Sequence, residues 1–173
     1  MSEDPKEVKE VFVTLLSEAR HNAEKATELH KELAELAHDH PQIMELIEAR
    51  AFLSAKALEH LDHVFKLIGA RPAIVKSRLH EVFVEELRRH LAEIKSPIAR
   101  HHLLLARLAH LNHLRIAEIE ALLTADVTGH HGVAVVLEGT KAARLAFAER
   151  TRLLARKIAE ARVVERKIAA SAA

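Results

Sequence analysis

The chain has no cysteine, which excludes disulfides and thiol chemistry and is compatible with a reducing cytoplasm, the expected location. Tryptophan and tyrosine are missing as well, so a redox site that relays electrons through tyrosine is excluded. Aromatic residues make up only 3%, too few to offer base stacking to a nucleic acid. Four glycines and four prolines in 173 residues leave no P-loop and no Gly-rich phosphate cradle. No apolar run approaches the ~20 residues of a membrane span. The acidic, polar start Met1-Ser-Glu-Asp-Pro5 does not read as a secretory signal. A net charge of +1 provides no global field to gather nucleic acid.

What is present is helical. Hydrophobic residues reach 49% and charged residues 29%, drawn mainly from Ala, Leu, Glu, Lys and Arg. The length fits one domain over residues 1–173 with a single sizeable core. Pro5 suits a first helical turn, with Ser2 or Asp4 as its cap. The stripe Val8, Phe12, Leu15, Ala19, Asn22, Ala26, Leu29, Leu33, Leu36 then alternates steps of four and three, the seam of a packed bundle. Asp39-His40-Pro41 stops this helix and starts a second, which Gly69 ends as a left-handed cap. Its stripe includes Leu46, Arg50, Leu53, Ala57, Leu61, Val64 and Ile68. Ser96-Pro97 opens a third helix with Leu105, Leu108, Asn112, Arg115 or Ile116, and Ile119 on its seam. A fourth starts near His131 with Val136, Thr140, Ala143, Phe147, Leu154, Ile158, Val164 and Ile168, and residues 169–173 are expected to fray. The predicted helices are 5–38, 41–68, 97–127 and 131–169. Residues 73–95 form a crossover of one short and one longer helical piece, with Phe83 and Leu87 on its apolar side. Two helix pairs joined by a long crossover define an all-α, ferritin-like four-helix bundle.

Three segments carry a resemblance. Val11-Phe-Val-Thr-Leu-Leu-Ser-Glu-Ala-Arg-His-Asn-Ala-Glu-Lys25 resembles the opening helix of the bacterial stress-associated YciE/YciF ferritin-like family. Glu59-His-Leu-Asp-His-Val-Phe-Lys-Leu-Ile-Gly-Ala-Arg-Pro72 is similar to the end of its second helix, and Asn112-His-Leu-Arg-Ile-Ala-Glu-Ile119 to its third-helix motif. The resemblance spans roughly residues 8–165. It implies a stress-response setting, a dimer, and a di-metal site in the bundle core built from inward Glu and His. Carried over by position, those ligands fall on Ala23, Leu53, Ala57, Asn112 and Arg115, and on helix four the acidic run becomes Ala142-Ala143-Arg144. Matching the Ala-Glu-Lys tripeptide instead would place the first ligand at Glu24, but Glu24 sits about 200° round the helix from Asn22 and faces away from the seam.

No replacement site is built from other residues. The pairs Glu18/His21 and Glu35/His38 share one helix and lie about 25 Å apart along it, whereas a two-metal site holds its ions about 3.5–4 Å apart between facing helices. His60/His63 and His110/His113 have i,i+3 chelating spacing for zinc, nickel or copper. They are the alternative metal candidates, together with Glu24. Fourteen histidines would make the chain strongly cationic if protonated. Asn22 and Asn112 occupy seam positions, and their pairing across the core, or with Thr140, is expected to satisfy both amides. The basic stretch Arg150 to Lys167 is interrupted by Glu160 and Glu165 and reads as a solvated helix end.

These observations favour a non-catalytic ferritin-like bundle whose di-metal site is lost and whose centre is filled by Leu and Ala. Such a chain acts through its surface as a structural or interaction protein, without cofactor, nucleic acid or membrane. A homodimer or higher homo-oligomer through the apolar flanks Val11, Val13, Leu16, Phe52 and Phe65 is expected. The alternative is a metal-binding ferritin-like protein, either a di-iron oxidoreductase or a histidine-based divalent-metal binder, using iron, manganese or zinc.

Overall fold

The computed structural model describes residues 5–75 and 77–171. Its elements are all helices: α1 (Pro5–Glu28), α2 (His30–Leu36), α3 (Pro41–Ile68), α4 (Arg78–Glu93), α5 (Pro97–Ala125) and α6 (His131–Ser171). The chain is therefore all-α. Ser2 and Asp4, expected to cap the first helix, and the last two alanines lie outside the described residues.

Local chemistry sets the helix boundaries. His40 is extended at φ −129°, and its Nδ1 accepts the Ile43 amide at 3.4 Å, with Pro41 at the first helical position of α3. Ser96 does the same for α5, its Oγ accepting the Ala99 amide at 3.4 Å ahead of Pro97. Gly69 closes α3 at φ 63°. The Ala70 amide reaches the Phe65 carbonyl at 3.1 Å and the Gly69 amide the Lys66 carbonyl at 3.3 Å, the paired bonds of a Schellman cap.

Two apolar clusters fix the directions of the helices. One joins the start of α1 (Phe12, Leu16), the end of α3 (Leu61, Val64, Phe65), the end of α5 (Ile119, Leu122) and the start of α6 (Val133, Leu137). The other joins Leu29 and Leu33, the start of α3 (Ile43, Leu46, Ile47), α4 (Val84, Leu87, Leu91), the first half of α5 (Leu104, Leu105, Leu108, Leu111) and Phe147 of α6. The ends of α3 and α5 thus share one end of the bundle, and the chain must travel its length between them. That is the up-down, crossover, down-up arrangement of a ferritin-like bundle, with α4 laid along the outside.

Several details depart from the sequence reading. The first long helix is interrupted at Leu29, which stays in the right-handed helical region (φ −69°, ψ −14°), so α2 continues in the direction of α1. Among the described residues the crossover holds one helix rather than two. Residues 70–75 are non-helical, because Pro72 cannot donate to a helix and the Ala73 amide is taken by Ser17 Oγ of α1 at 2.9 Å. Residues 169–171 are helical rather than frayed. The apolar stripe of α6 ends early: Val164 and Ile168 are exposed, since neither α3 nor α5 extends far enough to cover them. Leu16 and Phe65 are buried in the core and cannot serve a surface interface. Of the expected flank, Val11 and Phe52 remain exposed.

Candidate functional site

Between the two apolar clusters lies a polar layer. It is formed by Asn22, Ala23 and Ala26 of α1, Arg50, Ser54 and Ala57 of α3, Asn112, Arg115 and Glu118 of α5, and Thr140 and Arg144 of α6. His80, on the first turn of α4, is buried from the outer side. The centre expected to be filled by Leu and Ala is instead cationic. Ala23 and Ala57 are buried there, and Arg50, Arg115 and Arg144 are buried in the same layer. Leu53 turns out of this layer and packs half-buried beside Phe52 on the outer groove between α3 and α6.

The hydrogen bonds of the layer are sparse for its charge. Arg50 Nη1 donates to the Ala26 carbonyl at 3.2 Å, and Arg144 Nη2 donates to Ser54 Oγ at 3.3 Å. Arg115 Nη1 lies 3.0 Å from Glu118 Oε2, close enough for an ion pair but misaligned for a hydrogen bond, so Nη1 and Nη2 both lack a hydrogen-bond acceptor. Asn22 Nδ2 donates to Glu118 Oε1 at 2.8 Å, and Asn112 Nδ2 to the Arg144 carbonyl at 2.9 Å. The expected Asn22–Asn112 pair is therefore absent: each amide finds a closer partner on the neighbouring helix. Thr140 Oγ1 donates to the Val136 carbonyl and lies 2.8 Å from His60 Nδ1.

Burial dominates the electrostatics. It pushes the Glu118 carboxyl up from the ordinary 4.5 to about 7, against the pull of Arg115 and the Asn22 amide. It lowers Arg50 to about 9, with repulsion from Arg144 and Arg115 adding to the effect, and it lowers Arg144 to about 10. Arg115 is lowered by the same burial, opposed by Glu118. His80 drops to about 4 through burial and then through repulsion from Arg115 and Arg50. At neutral pH the layer therefore holds three guanidinium groups against one carboxyl whose ionisation burial opposes.

The other sequence candidates do not converge. Glu24 is exposed and lies 3.5 Å from Arg20, on the side away from the seam. His63, His110 and His113 are exposed, and His60 is turned toward Thr140. Among the described residues, no three His, Asp or Glu side chains come together in a group suited to a metal ion. The di-metal arrangement implied by the family resemblance does not fit the residues present. Its cations would have to sit among Arg50, Arg115 and Arg144 with a single carboxylate to compensate. His101, at the start of α5, instead bonds Asp39 at 2.9 Å, and that hydrogen bond holds the Asp39 carboxyl below its usual range.

The residues that sequence reading missed are Glu118, Ser54 and His80; Arg144 was named only within the run that replaces the family's acids on helix four, and Arg50 was read as part of an apolar stripe. A signal was available. Arg50 occupies a seam position, Arg144 stands one turn beyond the seam residue Thr140, and Glu118 lies three residues past Arg115 on the same face.

Fold and site together define an all-α bundle of four long helices with an external crossover helix and a buried cationic centre. The chain belongs to the family described as a domain of unknown function, DUF892, whose match covers residues 7–164. The Escherichia coli stress protein YciF has a similar structure, with a TM-score of 0.82 and 20% identity over 88% of this chain and 97% of that one. YcfI of Rhodopseudomonas palustris, a candidate structural protein, matches with a TM-score of 0.79 and 18% identity, again over 88% and 97%. At these identities the likeness speaks for the fold alone. No curated protein matches the chain significantly. Among the described residues no helix is long and apolar enough to cross a membrane.

Proposed function

We propose that this chain is a non-catalytic, stress-associated helical bundle that has lost the di-metal site and acts through its surface as a structural or interaction protein. The observation that carries this reading is the presence of Arg50, Arg115 and Arg144 in the bundle centre with Glu118 as the one carboxylate beside them. A divalent ion bound there would meet repulsion from three cations, while iron or manganese sites draw on several inward carboxylates. Val11 and Phe52, 55% and 63% exposed, support a homo-oligomer formed through the outer faces of α1 and α3 in the cytoplasm. The resemblance to stress-associated proteins supplies the setting.

A histidine-based divalent-metal binder is the second reading. It rests on His110 and His113, both exposed one turn apart on α5. Elemental analysis of tag-free protein separates the two. The proposed function expects no stoichiometric metal and an unchanged melting temperature on adding chelator, because a ligand that binds only the folded chain must stabilise it. Two equivalents of iron or manganese per chain would overturn it. One loosely held zinc, removed by mild chelator, would establish the histidine site.

A further inference from the structure

Burying cations with too little counter-charge is among the costliest arrangements in a protein interior, and this bundle buries three together with Glu118, 3.0 Å from Arg115 Nη1, as the carboxylate beside them. Arg50, Arg115 and Arg144 are 4%, 6% and 3% exposed. Two of them donate to neutral oxygens, the Ala26 carbonyl and Ser54 Oγ. The third, Arg115, presents Nη1 and Nη2 to no hydrogen-bond acceptor. A guanidinium carries five N–H donors in a fixed fork, and the fully buried donors of this cluster that meet no hydrogen-bond acceptor are Arg115 Nη1 and Nη2. Loss of a proton offers no escape, since Arg50 and Arg144 release theirs only near about 9 and about 10. Glu118 cannot balance three charges even when fully ionised.

We propose that the centre of the bundle binds a small inorganic monoanion of the halide class, seated between Arg50, Arg115 and Arg144 and held first by Nη2 of Arg115, the nitrogen turned to neither Glu118 nor any other acceptor. A single-atom anion accepts from any direction, which suits donors arriving from three different helices. His80 adds to the site from α4. Its Nδ1 is buried without a partner, and its ring is neutral at pH 7, so in the Nδ1–H tautomer it supplies one more N–H without adding positive charge. His80 also lines a groove of about 250 Å³ between α1, α2 and α4, whose charged lining is Lys25 and Arg88 with Glu28, Glu32, Glu81 and Glu85. The family metal and this anion are alternative answers to one interior: inward carboxylates call for cations, and inward guanidiniums call for an anion.

The inference rests on the reading of the centre as closed to metal, and the two are separable. Two equivalents of iron overturn the proposed function, whereas halide independence overturns the anion alone. Urea unfolding is measured in gluconate buffer at constant ionic strength while chloride or bromide replaces gluconate. The folding equilibrium constant should rise by about 100-fold at 100 times the half-saturating halide concentration. Arg115→Gln should abolish that dependence. Crystals of the full chain grown in bromide should show an anomalous peak among the three guanidiniums. Stability indifferent to halide, a dependence of equal size in Arg115→Gln, or a response to sulfate but not to halide would each overturn the proposal. If Arg115→Gln does not fold, the bromide crystal decides, and water or an empty position there sinks the idea.

Discussion

Glu118→Gln isolates the electrostatics of the buried layer. The substitution keeps the size of the side chain and leaves an oxygen to accept from Asn22 Nδ2, so the main change is in charge. Arg115, the Asn22 amide and Arg144 favour ionisation of Glu118, and burial, with a smaller push in the same direction from Glu18, outweighs them to hold its carboxyl at about 7. Between the ordinary 4.5 and about 7, the folded chain keeps a proton that the unfolded chain has released. The proton-linked stability is therefore complete below about 4.5 and gone once the pH has risen through about 7. A glutamine there behaves as a carboxyl that never loses its proton. By linkage, Glu118→Gln should stabilise the chain by about 1 kcal/mol near pH 5 and by about 3 kcal/mol near pH 8. His80 titrates in the opposite sense, since its lowered value of about 4 makes stability fall as the pH drops from 6.5 toward 4. Its contribution is common to both proteins and cancels in the difference. The assay is urea unfolding of wild type and variant in halide-free buffer across that range. A variant less stable than wild type at pH 8, or a difference that does not change with pH, would show that Glu118 is ionised and held by Arg115, and the reasoning would be refuted.

Arg50→Met should raise stability by an amount on the order of 1–4 kcal/mol in halide-free buffer, because a methionine of similar reach removes a buried charge that has only the Ala26 carbonyl as partner. Denaturant unfolding checks it, and a loss of similar size would mean that Arg50 has a counter-charge in the folded chain. Leu108→Ala, at a fully buried position of the second apolar cluster, should cost about 3–5 kcal/mol through lost transfer energy and an unfilled cavity. A cost under about 1 kcal/mol would show that α4 collapses onto the space.

The fold was legible because its signals are local. Steps of three and four residues mark the seams, Pro41 and Pro97 sit behind their caps, and Gly69 adopts the positive φ expected of a helix end. Each of these depends on residues within one or two turns of one another. The centre was less legible because it depends on which side chains from four helices meet. Ala23, Ala57, Asn112 and Arg115 are all buried in the layer, but a centre filled by Leu and Ala was expected, whereas Arg50 and Arg144 are buried there as well. Pairing Asn22 with Asn112 followed a shortcut: it matched two residues by type, whereas Glu118 and the Arg144 carbonyl win by proximity. The overextended stripe of α6 has a related cause, since periodicity continues along a helix whether or not a neighbour is there to cover it.

That last mismatch has a consequence for how the molecule comes apart. Beyond Ile158, nearly every residue of α6 is exposed, and past Glu165, where the groove it shares with His40, Gln42 and Ile98 ends, about 9 Å of helix stands without lateral support. A segment that short would not persist alone in water. It is held by continuity with the turns behind it, which carry local pairs such as Arg156 with Glu160 at 2.7 Å. Its amide hydrogens therefore trade with solvent by unzipping from the tail inward, while those a few turns earlier wait for the whole bundle to open. One unbroken helix carries two exchange regimes, and the border between them falls where the neighbouring rods begin.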